Sequence, residues 1–346
     1  MQSQITLQTF NIRDIQEDTA RQLNAFWNQI RLERQPDDPA IPFEEEWQGW
    51  QNYPPFEDLQ VFAIWNPEQT GIIATCEAFT FLTEENQHLL FFEISVSPEQ
   101  RQQGLGRQLL RLASDLAQEK GKRLMMTETN DRIPAGEIFT QRMGAKAVMH
   151  SRTNQLVVED IDPSLLAGWT DNSSGRFDEF ELGFWDGVYP EEQIEGVHDL
   201  FQIAKDEPKD DMDFEDREIT VEQLRQMEQY QLARGIERWT CYVLEKSSGR
   251  FCGFTEIFWN PNRPILLNQG FTGVNPDFRG MSLGRLMKAT MLERVLRERP
   301  EVQKIRTGNA NSNRFMLAIN NELGFKPYIA WTVWQIDTAN VQEYLS

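Results

Sequence analysis

The sequence predicts a mixed α/β protein of two tandem domains, each with a mixed central β-sheet flanked by helices. Its 346 residues are enough for two domains of ordinary size. One long internal repeat recurs after about 180 residues. Each copy runs strand, strand, strand, loop, long helix, strand, helix and strand, an order typical of helices packed on a central sheet.

Three short matches define the repeat and keep nearly constant spacing. The matched segments are 74–77 with 253–256, 97–106 with 275–284, and 143–146 with 323–326. Chance similarity would not hold register over about seventy residues, so we expect both halves to share one fold. The turn-rich stretch between them places a linker at 161–176, which leaves domains at 1–160 and 177–346.

Hydrophobic patterning predicts the elements of the first copy in order. Apolar and β-branched runs predict strands, and leucines spaced four, three and four residues apart from Leu105 predict the long helix. The expected strands are 61–65, 71–82, 88–96, 124–127 and 147–158, and a short helix is expected at 135–143.

The second copy repeats the pattern. The expected strands are 239–244, 253–259, 266–274, 305–307 and 328–336, and the expected helices are 283–299 and 313–323. Pro300 ends the long helix because proline cannot continue one. The acidic stretch 206–218 is expected to be a solvated loop.

Composition excludes several classes of function. With 34 basic and 54 acidic residues the net charge is −20, which argues against a nucleic-acid partner and is compatible with a cationic substrate. The chain shows no signal peptide and no long apolar run, so we expect a cytoplasmic protein that does not enter a membrane. Three cysteines and three scattered histidines predict neither a disulfide framework nor a metal site.

The loop between the third strand and the long helix is where the sequence suggests chemistry. Gly104 and Gly106 allow a ligand close to the backbone, and the N–H groups of a helix N-terminus favour an anion. Arg101 is suited to pairing with a second phosphate. Taken alone, the motif also fits a tight turn without a ligand.

In its context between strand and helix, the segment 96–106 resembles the acetyl-coenzyme A loop of the GNAT N-acetyltransferase superfamily, (Arg/Gln)-x-x-Gly-x-(Gly/Ala). The second copy, 279–284, departs at Ser282. The turn at Leu323–Phe325 also resembles the family's closing helix-to-strand turn. The chain as a whole is similar to tandem GNAT proteins of the mycothiol synthase type.

This resemblance implies acetyl-CoA as co-substrate, no metal, and direct attack on the thioester by the amine of a small molecule. The residues implied to bind acetyl-CoA are Val96, Arg101, Gln102, Gly104, Leu105, Gly106 and Arg107 in the first copy, and Val274, Arg279, Gly280, Ser282, Leu283, Gly284, Asn309 and Asn313 in the second. Asn309 and Asn313 fit helix capping equally well.

Direct transfer needs a base, because an alkylamine with a pKa of about 10 is mostly protonated at neutral pH. Glu93, on the strand leading into the loop, is the candidate in the first copy, with Glu77 on the neighbouring strand. Glu256 is the candidate in the second. The tyrosine that often serves as the family's acid is replaced by Thr140 and Asn320, so the acid is unassigned.

Three functions remain open at this stage. The first is an N-acetyltransferase acting on a small amine, the second a non-catalytic acetyl-CoA-binding protein, and the third a protein N-acetyltransferase. The asparagine-rich segment of the second copy tips the expectation slightly towards a C-terminal active site, with the first half binding acetyl-CoA or shaping the acceptor groove. The chain is expected to be a monomer or a homodimer.

Overall fold

The computed structural model describes residues 6–346, apart from the side chain of Asp206. Its strands are β1 (Thr6–Asn11), β2 (Glu57–Trp65), β3 (Ile72–Phe81), β4 (Leu89–Val96), β5 (Leu124–Asn130), β6 (Lys146–Val157), β7 (Phe180–Asp186), β8 (Glu237–Glu245), β9 (Phe251–Trp259), β10 (Leu266–Val274), β11 (Lys304–Ala310) and β12 (Lys326–Asp337).

The α-helices of the same residues lie before, between and after groups of these strands. They are α1 (Glu17–Arg34), α2 (Phe43–Gln51), α3 (Leu105–Glu119), α4 (Pro134–Arg142), α5 (Pro163–Thr170), α6 (Ile194–Phe201), α7 (Val221–Ala233), α8 (Leu283–Glu298), α9 (Arg314–Glu322) and α10 (Thr338–Leu345). Across residues 6–346, no helix combines the length and the apolar composition needed to cross a membrane. The predicted mixed α/β class is confirmed.

Contacts divide the chain into two compact units that do not follow its two halves. The first unit contains the chain up to His150, the short segment Asp210–Glu215 and the C-terminal segment Ala330–Ser346. The second contains Ser151–Lys209 and Asp216–Ile329. Each unit thus includes residues from both repeats. The division at 161–176 stays a prediction about the sequence repeat.

The first unit has the strand order β1-β2-β3-β4-β5-β12. Strands β4 and β5 are parallel and pair only from Leu89–Phe91 to Leu124–Met126, and beyond these pairs they separate. β4 stays paired with β3 as far as Val96. Helices α3 and α10 cover one face of this sheet, and α1 and α2 cover the other. A cleft therefore opens between β4 and β5, with helices on both sides.

The second unit repeats this plan with the order β6-β11-β10-β9-β8-β7. Its β10 and β11 also pair over only three residues, Leu266–Asn268 with Lys304–Arg306, before they separate. Unlike β4, strand β10 carries a bulge between Gln269 and Thr272. Helix α8 lies across the core as α3 does in the first unit.

Of two segments expected to be irregular, one contains a helix and the other is an irregular loop. The linker contains α5, whose N-cap Asp162 accepts from the Ser164 N–H and whose Leu166 is buried. The acidic stretch 206–218 is irregular from 207 on and its acidic side chains are largely exposed, as expected, while its centre, Asp210–Glu215, belongs to the first unit. The reason is its apolar content, since Phe214 packs edge-on against Phe81 and Phe91.

Candidate functional site

The separation of β4 and β5 opens a cavity of about 670 Å³ in the first unit. Its walls come from these two strands, the loop after β4, and the helices α3 and α4. Every residue predicted for the first copy lines it: Glu93, Val96, Arg101, Gln102, Gly104, Leu105, Gly106 and Arg107. The geometry therefore brings the first-copy candidates together in one place.

The exposed edge of β4 supplies hydrogen-bonding groups to this cavity. The Ser97 N–H donates to the Ile73 carbonyl on the β3 side. Because successive N–H groups of a strand point to opposite sides, those of Ile94 and Val96 point away from β3 towards the cleft. The Val96 carbonyl accepts from Arg101 Nε at 3.1 Å, which ties the loop to the strand.

The loop after β4 turns through two left-handed residues before α3 begins. Gln102 has φ 63° and Gly104 has φ 86°, and Leu105 is the first residue of the helix. The first N–H groups of a helix lack intrahelical partners, and the helix dipole adds partial positive charge there. The loop is therefore a site suited to a phosphate group.

The arginines that line the cavity make different contacts. Both terminal nitrogens of Arg101 bind Glu33 of α1, at 2.6 and 2.5 Å, so this guanidinium fastens the loop to α1 rather than reaching for a phosphate. Arg107 donates to the Tyr344 carbonyl at 2.9 Å and lies over that ring. Arg107 and Arg142 both line the cavity near the loop. Positively charged side chains therefore line the cavity near the loop.

Carboxylates occupy the opposite face of the sheet. Glu77 pairs directly with Glu93 across β3 and β4. Glu128 lies on β5 two residues beyond its last pair with β4, as Glu93 does on β4, so the two face each other across the opening. Both line the cavity. Phe92 points to the α3 side, so Glu93 points to the side of α1 and α2.

Desolvation is the main cause of raised pKa values for Glu77 and Glu128. Burial raises the pKa of Glu77 well above its ordinary value, and the charges of Glu93 and Glu46 raise it further, against Trp27 and Arg34. Glu128 is exposed at the cleft opening, yet desolvation by the surrounding protein raises its pKa to about 7, with Glu93 adding to the shift and Arg34 opposing it. Glu128 can therefore hold and exchange a proton near neutral pH.

The second unit reproduces the loop with its glycine moved. Gly280 has φ 81° and Ser282 has φ 64°, the positions of Gln102 and Gly104 in the first copy. Arg279 Nε donates to the Val274 carbonyl at 3.1 Å, again as in the first copy. The departure at Ser282 therefore leaves the backbone path unchanged, and Leu283 and Gly284 begin α8 as Leu105 and Gly106 begin α3.

The predicted base of the second copy lies in a closed polar network. Glu256 is 4% exposed and accepts hydrogen bonds from Tyr189 and Thr240. Burial raises the pKa of Glu256, although Arg238, Tyr189 and Thr240 oppose the shift. Arg238 lies 3.6 Å from the Tyr189 ring centroid and pairs with Glu228 at 2.5 Å. These contacts fit a structural role; a catalytic one stays a prediction.

The other candidates of the second copy also have structural partners. The Asn313 side chain caps α9 by accepting from the Met316 N–H at 3.3 Å. Asn309 accepts from Asn320 at 2.8 Å. Asn320 occupies the position where the family often has its acidic tyrosine, and it is 1% exposed. Its counterpart Thr140 donates its hydroxyl to carbonyls of its own helix.

Sequence reasoning missed Glu128 and Arg34. The predicted strand stopped at Thr127, whereas β5 continues to Asn130 and carries Glu128 into the cleft. Extending the alternating pattern by three residues was the available signal. Arg34 ends α1, a helix outside the matched segments of the sequence repeat, and lies over the Trp331 ring of β12. Nothing local in the sequence places those two residues together.

Comparison with known families agrees with the resemblance predicted from the loop. Residues 22–145 match the model of the acetyltransferase (GNAT) family. This stretch includes the cleft strands β4 and β5, the loop and α3. None of the curated proteins matches the chain.

Solved structures extend the likeness over nearly the whole chain. A tandem GNAT protein from the clavulanic acid biosynthesis pathway has a TM-score of 0.79 at 22% identity, covering 97% of this chain and 99% of that one. A GCN5-related N-acetyltransferase from Sphaerobacter thermophilus has a TM-score of 0.65 at 13% identity, with 96% of both chains covered. The fold of tandem GNAT proteins is thereby confirmed.

A third match is to part of a larger protein. The glucosamine N-acetyltransferase region of a fungal multi-domain GH3 β-N-acetylglucosaminidase has a TM-score of 0.65 at 12% identity, covering 96% of this chain and 38% of that one. At this identity the match concerns the fold alone. It shows the same tandem arrangement within a longer chain.

Proposed function

We propose that this chain, a tandem protein of the GNAT superfamily, transfers the acetyl group of acetyl-CoA to an amine of a small cationic molecule in the cleft of its first unit. One observation carries the proposal: a single cavity joins an anion-binding loop with arginines to a pair of carboxylates. The first suits the phosphates of acetyl-CoA and the second suits a protonated amine.

Acetyl-CoA fits the residues on the α3 side of the sheet. The N–H groups at the start of α3 would hold the pyrophosphate, and Arg107 and Arg142 would face the remaining phosphate. The edge of β4 offers the N–H groups of Ile94 and Val96 to the pantetheine arm and the thioester carbonyl. When bound, acetyl-CoA supplies the thioester whose acyl group is transferred.

The acceptor side would be the face covered by α1 and α2. Glu93 lies three residues before Val96, about 10 Å along the strand from the loop. Its carboxylate and that of Glu128 would attract a protonated amine to the cleft opening. This favours the first unit as the catalytic one, against the slight expectation for the second, whose Glu256 is closed off by Tyr189.

A second candidate is a protein that binds acetyl-CoA without turnover. It is favoured by the absence of the family's acid, because Thr140 and Asn320 have partners of their own. The two candidates differ in one measurable property. An acetyltransferase releases CoA when an acceptor amine is added, whereas a sensor binds acetyl-CoA and leaves it intact.

Two matched glycines provide the test. A Cβ at Gly106 would meet only Phe139, at 3.8 Å, and one at Gly284 would meet Ile319 and Val274, also at 3.8 Å. Both glycines are second in their helices, so Gly106→Leu and Gly284→Leu should fold while filling the phosphate space of one loop each. We expect Gly106→Leu to weaken acetyl-CoA binding at least tenfold, measured by calorimetric titration.

Gly284→Leu is the control and should leave that affinity unchanged. A loss of binding only in Gly284→Leu would move the working cleft to the second unit. Equal losses in both variants would mean two working loops. Absence of acetyl-CoA binding by the unaltered protein would remove the proposed function altogether.

A further inference from the structure

The acceptor amine must lose a proton, and the loop motif does not indicate which group would act as the base. Glu128 stands on β5, on the wall of the cleft opposite the strand that precedes the loop. Glu93 holds the matching position on β4, two residues beyond the last β4–β5 pair. An amine entering between the strands would pass between these two carboxylates.

The surroundings of Glu128 differ from those of the other members of the row. Its neighbour on β12 is the apolar Val333, so no charge faces it from that strand. The charged groups that act on it are Glu93 on β4 and Arg34 at the end of α1. Glu77, by contrast, lies one strand further from the opening, within reach of Trp27 and Glu46.

We propose that Glu128 takes the proton from the acceptor amine, and that Glu93, opposite it on β4, is a positioning residue that acts through Glu128. The inference rests on the proposed acetyltransferase function of the first unit. It departs from the simpler assignment of Glu93 as the base.

The electrostatics agree with this geometry. The pKa of Glu128 is raised to about 7 by desolvation and by the charge of Glu93. A carboxylate with that pKa is half deprotonated at neutral pH, yet binds a proton far more strongly than an ordinary glutamate. A base tuned to the working pH is the most effective one.

Proton transfer and acetyl transfer both take place at the acceptor nitrogen. The acceptor arrives as an ammonium ion, and one of its protons passes to the Glu128 carboxylate. The freed nitrogen lone pair forms the new C–N bond to the acetyl carbon, and the C–S bond of the thioester breaks. CoA leaves as a thiolate, which takes up the second proton that the nitrogen loses. Glu128 then returns its proton to water.

The test uses the full chain, acetyl-CoA and 1,4-diaminobutane as the amine probe, with CoA release followed against pH. Glu128→Gln should fold, since glutamine resembles the protonated carboxyl, and should lower kcat/KM by about 100-fold or more. Glu93→Gln should keep measurable activity and move the acidic limb of the kcat/KM profile from near pH 7 to lower pH. Exposed Glu68, in the turn between β2 and β3, gives the control Glu68→Gln.

The outcomes separate the inference from the function on which it rests. Unchanged activity in Glu128→Gln, with the unaltered protein active, would overturn the role of Glu128 alone. An unshifted acidic limb in Glu93→Gln would overturn the coupling between the two carboxylates. Binding of acetyl-CoA with no CoA release by the unaltered protein would overturn the acetyltransferase function, and the inference with it.

Discussion

Three glutamates on β-strands differ in their surroundings, and the surroundings determine which of them could act as a base. Desolvation raises the pKa values of Glu77, Glu128 and Glu256, although Glu256 is buried and Glu128 is exposed at the cleft opening. Only Glu128 combines a raised pKa with a place on the cavity wall. Glu256 is held by Tyr189 and Thr240, and Glu77 lies behind Glu93. Position in the cleft, not residue type, distinguishes the candidate base.

Lys288 is a buried lysine that should make the stability of the protein depend on pH. It is 1% exposed in the middle of α8, and burial lowers its pKa to about 7. The matching residue of the first copy is the buried Leu110. Unfolding lets Lys288 take up a proton between pH 7 and its ordinary pKa of about 10, so stability should rise with pH there by up to about 1.4 kcal/mol per unit.

We expect Lys288→Leu to remove this slope and to stabilise the protein most at pH 7 or below. Urea unfolding at several pH values, compared with the unaltered chain, measures the difference. The reverse exchange in the first unit, Leu110→Lys, should destabilise and introduce a slope of the same sign. Parallel profiles for Lys288→Leu and the unaltered protein would show that Lys288 stays charged in the fold.

At the scale of elements, the two loops follow one backbone path with different residues. Each has two left-handed positions, and each places a glycine at only one of them. Gln102 and Ser282 accept positive φ, while Gly104 and Gly280 supply it without strain. In the sequence, Ser282 looks like a lost glycine of the motif. In the structure, the second loop has its glycine at the other left-handed position, Gly280.

Alanine at these glycines should therefore cost stability through the backbone alone. A Cβ at Gly104 or Gly280 meets nothing within 4 Å, so Gly104→Ala and Gly280→Ala should each destabilise by about 1–2 kcal/mol from the left-handed conformation. Gly106→Ala is the control, because it lies inside α3 and should be neutral or stabilise by about 0.4–1 kcal/mol. Denaturant unfolding measures all three; no loss in Gly104→Ala would contradict the backbone argument.

Local patterns predicted the repeated elements well because each strand and helix carries its own periodicity. β10 was predicted at its observed bounds, and α8 within one residue. Helices α1 and α2 and their counterparts α6 and α7 were missed, since the matched segments of the repeat begin only at residues 74 and 253. The acidic segment Asp210–Glu215 was predicted as a loop, but its sequence did not predict that Phe214 packs in the first unit.

At the scale of the whole molecule, the sequence could predict the strands but not their neighbours. β12 was predicted as the last strand of the second repeat, yet its residues Trp331–Asp337 pair with β5 of the first unit. β6, from the first repeat, pairs with β11 of the second unit. Each sheet is thus completed by the closing strand of the other repeat. Pairing partners are long-range information that a local pattern does not contain.

This exchange predicts that the first repeat does not fold as a separate domain. Ile336, Val341 and Leu345 are buried in the first unit's core, and Tyr344 lines its cavity. Burying three such aliphatic side chains contributes about 5–9 kcal/mol, comparable to the whole stability of a domain. We expect a chain of residues 1–160, and one truncated after Ile329, to lack both a cooperative thermal transition of this unit and acetyl-CoA binding.

The two truncations distinguish the effect of losing the C-terminal segment Ala330–Ser346 from the effect of losing the whole second repeat. The chain ending at Ile329 keeps every residue of the first repeat and all of the second unit, and lacks only the segment Ala330–Ser346 of the first. If it loses acetyl-CoA binding while a second thermal transition remains, the loss belongs to the missing strand and helix. If residues 1–160 alone unfold cooperatively and bind acetyl-CoA, β12 does not stabilise the cleft, and the repeat boundary in the sequence is also the boundary of folding.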